Sequence, residues 1–88
     1  AVSKETVSAM GQNVRQKFDA DYGLATSGIA GPDGGTREKP VGTIWIACSS
    51  AKGTITKKLQ LTKDRDVNIR LTSVMALHLL YQRLAKNN

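Results

Sequence analysis

Several residue types are scarce in this sequence, and each scarcity excludes something. There is one cysteine, Cys48, so no disulfide can close within the chain, and the expected setting is reducing and cytoplasmic. There is one histidine, His78, and no pair of His, Cys or carboxylate residues has metal-ligand spacing. Neither a metal nor any other cofactor is therefore expected. Aromatic residues make up 5% of the chain, too few for a base-stacking platform, and no zinc-knuckle or RNP-type motif occurs. No run of eighteen apolar residues is present, so no membrane-spanning helix and no membrane partner is expected. The opening "AVSKETVSAM" is polar and amphipathic and lacks the apolar core of a signal peptide. The first residue is Ala1 rather than methionine, and the expectation is that coding sequence continues upstream. With 88 residues, the upper bound is one small domain with a modest core.

Charge of one sign is also scarce in one part of the chain. The net charge is +6, and its distribution is uneven. Residues 1–51 carry five basic and five acidic side chains, whereas residues 52–88 carry eight basic and two acidic ones. Such an excess reads either as a solvated surface or as attraction for an anion. The anion would be a nucleic acid or a phosphorylated small molecule, and the shortage of aromatics makes nucleic acid the weaker of the two.

What is present is periodicity and a cluster of glycines. Ser3 is a natural helix N-cap, with Glu5 in the first turn. Val7, Met10, Val14 and Phe18 then recur at helical spacing, which predicts a helix over about 4–20. Leu24–Ser27 reads as a short buried strand, and "VGTIWIACSS" as a second over about 41–49. "AKG" at Ala51–Gly53 is a turn, and the alternating "TITKKLQL" after it is a third, half-exposed strand. From Arg65 to about Lys86, Val67, Leu71, Val74, Met75, His78 and Leu79 mark a helical stripe, with Asp64 as N-cap. The fold class is α/β: layered α/β/α with a mixed sheet, here helix, strand, loop, hairpin and long C-terminal helix. Strands that look buried on both faces want further strands and helices, so the chain reads as part of a larger domain, or as one completed by association.

Between the first two strands, Gly28, Gly31, Gly34 and Gly35 fall within eight residues, bracketed by Pro32 and Pro40. Glycine lets a ligand approach the backbone, and proline stiffens the segment, which a flexible linker would not need. The loop reads as a binding rim or as a long corner. It is neither a P-loop nor a dinucleotide fingerprint. Thr26 and Ser27 end the strand that feeds it, where hydroxyls commonly meet ligands in α/β crevices. Arg65 opens the last helix, either as an anion-binding fork beside free backbone N–H groups or as an ion-pair partner of Asp64, Asp66 or Glu38. Lys39 is a second candidate cation. His78, on the apolar stripe, reads as a packed histidine, and Cys48 as an inert buried thiol. No nucleophile has an evident base, so no catalytic residue is assigned.

The segments "SGIAGPDGG", "EKPVGTIWIA" and "KDRDVNIR", with "AVS" at the start, resemble the signature segments of the C-terminal domain of the competence-damage-inducible CinA family. That family includes bacterial nicotinamide mononucleotide deamidases. The resemblance implies hydrolysis of the carboxamide of nicotinamide mononucleotide to nicotinate mononucleotide and ammonia, in pyridine-nucleotide (NAD) recycling. It implies that residues 1–88 are the C-terminal portion of a single such domain. The family's nucleophilic serine, assisting tyrosine and lysine base belong to upstream segments without a counterpart here. The matching substrate-binding positions are Ser27, the loop residues Gly28, Ile29, Ala30, Gly31 and Pro32, and Arg65. This sequence reads "KDR" where the family reads "GDR", so Lys63 replaces a flexible glycine. Arg70 matches a second family arginine, for which a structural role is as well supported. The implied partners are a small phosphorylated pyridine nucleotide and a second copy of the chain in a dimer. The alternative is a non-catalytic binding or assembly module of a competence-related protein.

Overall fold

The computed structural model describes residues 3–28 and 42–87. Helix α1 (Lys4–Lys17) starts as its cap predicts: Ser3 Oγ accepts a hydrogen bond from the Thr6 backbone N–H at 3.1 Å. It stops three residues earlier than its apolar spacing suggests. Asp19 adopts a left-handed backbone (φ 49°), one of the few conformations that end a helix at a single residue. Strands β1 (Tyr22–Gly28), β2 (Thr43–Ser50) and β3 (Gly53–Gln60) follow, and helix α2 (Arg65–Asn87) closes the chain. Among the described residues no helix is long and apolar enough to cross a membrane.

The three strands lie in the order β1-β2-β3. β1 pairs with β2 from Tyr22↔Ser50 to Gly28↔Ile44, and β2 with β3 from Thr43↔Gln60 to Ser50↔Gly53. Both pairings are antiparallel. A parallel pair, which a mixed sheet requires, does not occur among the described residues. β1 starts at Tyr22 rather than Leu24, since its ladder with β2 runs to the hairpin end.

β2 is the central strand, and its alternation builds two cores. Ile44, Ile46 and Cys48 face α2, where they pack with Leu59, Ala76 and Leu79. Ala47, with Trp45, faces α1 and packs with Val7 and Ala25. The result is helix, sheet, helix in three layers. The α1 layer is thin because two glycines meet there: a Cβ on Gly23 would strike the Gly11 carbonyl oxygen and lie 2.9 Å from Arg15 Cβ. α1 therefore rides on the sheet backbone around Gly11 and Val7, and Met10 and Phe18 of the expected stripe remain exposed.

The packed face of α2 also differs from the expected one. Met75 and Leu79 of the expected stripe do pack toward the sheet, but Asn68 and Ala76 are buried with them, while Val67, Leu71 and Val74 are exposed. The face is shifted by one residue, about 100° around the axis. Asn68 causes the shift. Its side chain is fully buried, accepts from the Thr62 backbone N–H and Oγ1 at 2.9 Å each, and donates to the Thr62 carbonyl at 2.8 Å. Thr62 Oγ1 in turn accepts from the Asp64 N–H at 3.0 Å. Next to this clamp, Leu61 N–H donates to the Gly42 carbonyl at 2.9 Å. Gly42 has φ +91°, and a Cβ there would lie 2.5 Å from the Thr62 carbonyl oxygen, so only glycine fits. At the other end of α2, Arg83 donates through Nη2 to Ser50 Oγ (2.9 Å) and the Gly53 carbonyl (3.1 Å).

Two stability measurements check this account. In urea unfolding, Asn68→Ala should lose about 2–3 kcal/mol, since it removes three hydrogen bonds to Thr62 and empties a fully buried position. Gly23→Ala should lose about 2 kcal/mol by forcing α1 off the sheet. A loss below 0.5 kcal/mol in either variant contradicts the packing described (a threshold of about the size of an ordinary surface substitution).

Candidate functional site

One end of the sheet, where β1 finishes and α2 begins, holds a cavity of about 240 Å³. Thr26, Ser27 and Gly28 line it from β1, and Ile44 from β2. Ile69, Thr72 and Ser73 line it from the first turns of α2. Each contributor is placed by an interaction already described. The ladder with β2 fixes Thr26 opposite Ile46 and Ser27 opposite Trp45. The Asn68 clamp fixes the rotation of α2, which turns Ile69 and Thr72 toward the strands.

Strand alternation separates the two β1 hydroxyls. Thr26 shares the sheet face of Leu24, toward α2, whereas Ser27 shares that of Ala25, toward α1. Both residues reach the cavity wall because β1 ends there. Among the described residues no charged side chain lines the cavity: they contribute hydroxyls, a glycine and two isoleucines. Ser73 Oγ is occupied, donating to the Ile69 carbonyl at 3.1 Å.

Arg65 is the first residue of α2 and is exposed. It lies on the helical face of Ile69 and Thr72, one and two turns before them. The surroundings of Arg65 differ from the expected anion nest. Asp64 Oδ1 accepts from the Asp66 N–H at 2.9 Å and the Val67 N–H at 3.1 Å. The capping carboxylate thus takes two of the free N–H groups and adds a negative charge. What this terminus offers an anion is the guanidinium itself. Among the described residues Arg65 has no ion-pair partner, so neither Asp64 nor Asp66 holds it. Ile29, Ala30, Gly31 and Pro32, like Glu38 and Lys39, lie outside the described residues. Arg70 and Lys63 are exposed.

The remaining candidates sit elsewhere. His78 is exposed rather than packed, because the shift of the buried face of α2 turns it to solvent. Cys48 is buried in the α2-side core, where burial pushes its thiol up and the Arg83 guanidinium pulls it partly back. A thiol raised in this way stays protonated at neutral pH and is a poor nucleophile. Among the described residues no three of His, Cys, Asp and Glu gather as a metal site. Sequence reasoning missed Ile69, Thr72 and Ser73, because on a helix they look like ordinary filler. The available signal was the seven-residue spacing from Arg65 to Thr72, which places them on one face.

Known proteins resemble this chain in sequence and in fold. The CinA C-terminal domain profile matches residues 1–84. A CinA-like protein of Cytophaga hutchinsonii is 55% identical over 84 residues, covering 96% of this chain and 20% of that protein. Nicotinamide-nucleotide amidohydrolase PncC of Escherichia coli K12 is 43% identical over 88 residues, covering 99% of this chain and 53% of PncC. The crystal structure of the competence/damage-inducible protein CihA from Agrobacterium tumefaciens superposes with a TM-score of 0.89 at 31% identity. That superposition covers all of this chain and 53% of CihA. The chain thus spans between a fifth and about half of the proteins it matches. With its profile matched over residues 1–84 and its fold shared with CihA, the chain belongs to the CinA C-terminal domain family.

Proposed function

We propose that these residues are the substrate-binding portion of a nicotinamide mononucleotide amidohydrolase domain. The reaction is hydrolysis of the carboxamide to give nicotinate mononucleotide and ammonia, in cytoplasmic recycling of pyridine nucleotides and without a cofactor. The observation that carries this reading is the hydroxyl-lined cavity at the end of β1, with Arg65 on the adjoining face of α2. Family membership and the activity named for the Escherichia coli relative support the chemistry.

In this reading Ser27 and Gly28, with the loop from Ile29 to Pro32, form the rim over the pyridine nucleotide, and Arg65 meets its phosphate. The reacting groups come from elsewhere. Among the described residues no serine, threonine or cysteine hydrogen-bonds to a histidine, lysine or carboxylate side chain, so none is activated as a nucleophile. A serine outside these 88 residues would attack the carboxamide carbon, with a lysine as its base and polar donors on the oxyanion.

A second reading, an assembly module without catalysis, is favoured by one observation. α2 is apolar on two sides: Ala76 and Leu79 pack on the sheet, while Val74, Leu77 and Tyr81 on the opposite side are each more than 60% exposed. A helix that is apolar all round is usually covered all round. Pairing of two copies through this face belongs to both readings.

Two experiments test these proposals. Incubated alone with nicotinamide mononucleotide, the 88-residue chain should release no ammonia above the uncatalysed rate; turnover matching a complete CinA-type domain overturns the division of labour. In sedimentation equilibrium at high micromolar concentration, the chain should have twice its 9.5 kDa mass, and Leu77→Lys should return it to the monomer. A monomeric wild-type chain sinks the pairing.

A further inference from the structure

We propose that Thr72 is a specificity-determining residue that hydrogen-bonds the uncharged part of the ligand, a sugar hydroxyl or an amide. The cavity then takes that part and not the phosphate. This deepens the amidohydrolase reading and rests on its assignment of the cavity as the nucleotide site.

The first observation is an orphan. Thr72 Oγ1 is shielded from solvent and has no hydrogen-bond partner among the described residues. A helical threonine has an obvious remedy, the carbonyl four residues back, and Ser73 next to it takes that remedy by donating to Ile69. Thr72 does not. Buried hydroxyls are nearly always paired, so one that is not calls for a partner that the described residues do not supply.

The second observation is its place. Thr72 lines the same cavity as Thr26 and Gly28. Threonine in a helix divides between two χ1 wells, so rotation of one bond exchanges its methyl and hydroxyl positions. The hydroxyl can thus turn onto a bound group without moving α2.

The third observation decides which part of a ligand enters. Among the described residues the cavity wall carries hydroxyls, a glycine and isoleucines and no charged side chain. A phosphate against these residues would lose its hydration with no cation of theirs to replace it. Arg65 lies on the same helical face seven residues earlier, about 10 Å along the axis. The geometry divides a nucleotide into a neutral portion at Thr72 and an anionic end at Arg65.

Calorimetric titration with nicotinamide mononucleotide and with nicotinamide riboside, paired with thermal unfolding, tests this. Thr72→Val should weaken both ligands equally, by about 10-fold, the cost of one good hydrogen bond. Thr72→Ser should restore binding. Arg65→Ala should weaken the nucleotide and leave the riboside unchanged. The Tm of Thr72→Val should hold or rise, because the variant removes an unpaired buried hydroxyl. If the wild-type chain binds the nucleotide and Thr72→Val binds it equally well, the role of Thr72 is overturned and the cavity assignment stands. A fall in the Tm of Thr72→Val also overturns it, since the hydroxyl then has a structural partner. If the wild-type chain binds neither ligand, the cavity assignment fails and this inference with it.

Discussion

The geometry of the site depends on the Asn68 side chain. It is a fully buried amide in contact with both polar groups of the Thr62 backbone, in a segment that connects the last strand to the last helix. A buried amide is tolerated only when its groups are paired, so the contact allows one helical rotation and one connection geometry. That rotation puts Asn68, Thr72, Ala76 and Leu79 in one row along the sheet. Arg83 fixes the far end of the same row to the β2–β3 hairpin. With α2 held at two points some 22 Å apart, it can neither roll nor slide, and the wall it gives the cavity is set.

The same constraint explains which parts of the molecule were legible in the sequence. Element types and order were legible, since local chemistry writes them: Ser3 and Asp64 cap as their positions suggest, and the ladder of β2 with β3 follows from "AKG". The face of α2 was legible only in part: Met75 and Leu79 of the expected stripe pack on the core, and Val67, Leu71 and Val74 do not. Val67, Leu71 and Val74 make one apolar row and Ala76 and Leu79 another, so the period is clear and the phase is ambiguous. The phase is settled by a polar residue, which a search for apolar spacing discards. α1 repeats the lesson: the expected stripe included Phe18, which is 70% exposed, and missed Gly11, which is buried because it has no side chain. Of the candidate site, Ser27, Gly28 and Arg65 were legible because they sit at element ends. Thr72 was not, because only its unpaired hydroxyl distinguishes it from any helical threonine.

The uneven charge of the chain now divides into parts with different physics. Lys57 and Lys58 are exposed on β3, which has no further strand beside it among the described residues. Lysines on an edge strand discourage pairing with other chains, so these two serve the fold. Arg83 is consumed by the hairpin contact. Arg65 is left with neither an ion-pair partner among the described residues nor a packing task. Of the two readings of the basic excess, the solvated surface fits Lys57 and Lys58, and anion attraction is what we propose for Arg65.

The range over which such charges act constrains how Arg65 could serve the cavity. At physiological ionic strength the field of an exposed charge decays over about 8 Å. Thr72 lies about 10 Å along the helix from Arg65, so screening cuts the field there to about a third. Through solvent the guanidinium therefore draws anions toward the cavity only weakly. The larger influence on a bound nucleotide that we propose is direct contact, as a bidentate fork on phosphate oxygens, which lysine at the same position would not reproduce. Recognition would then need both ends at once, the hydroxyl-lined cavity for the neutral portion and the helix end for the charge. A ligand that offers only one end gains only one set of contacts, and that is the physical basis on which this surface could separate a nucleotide from its nucleoside.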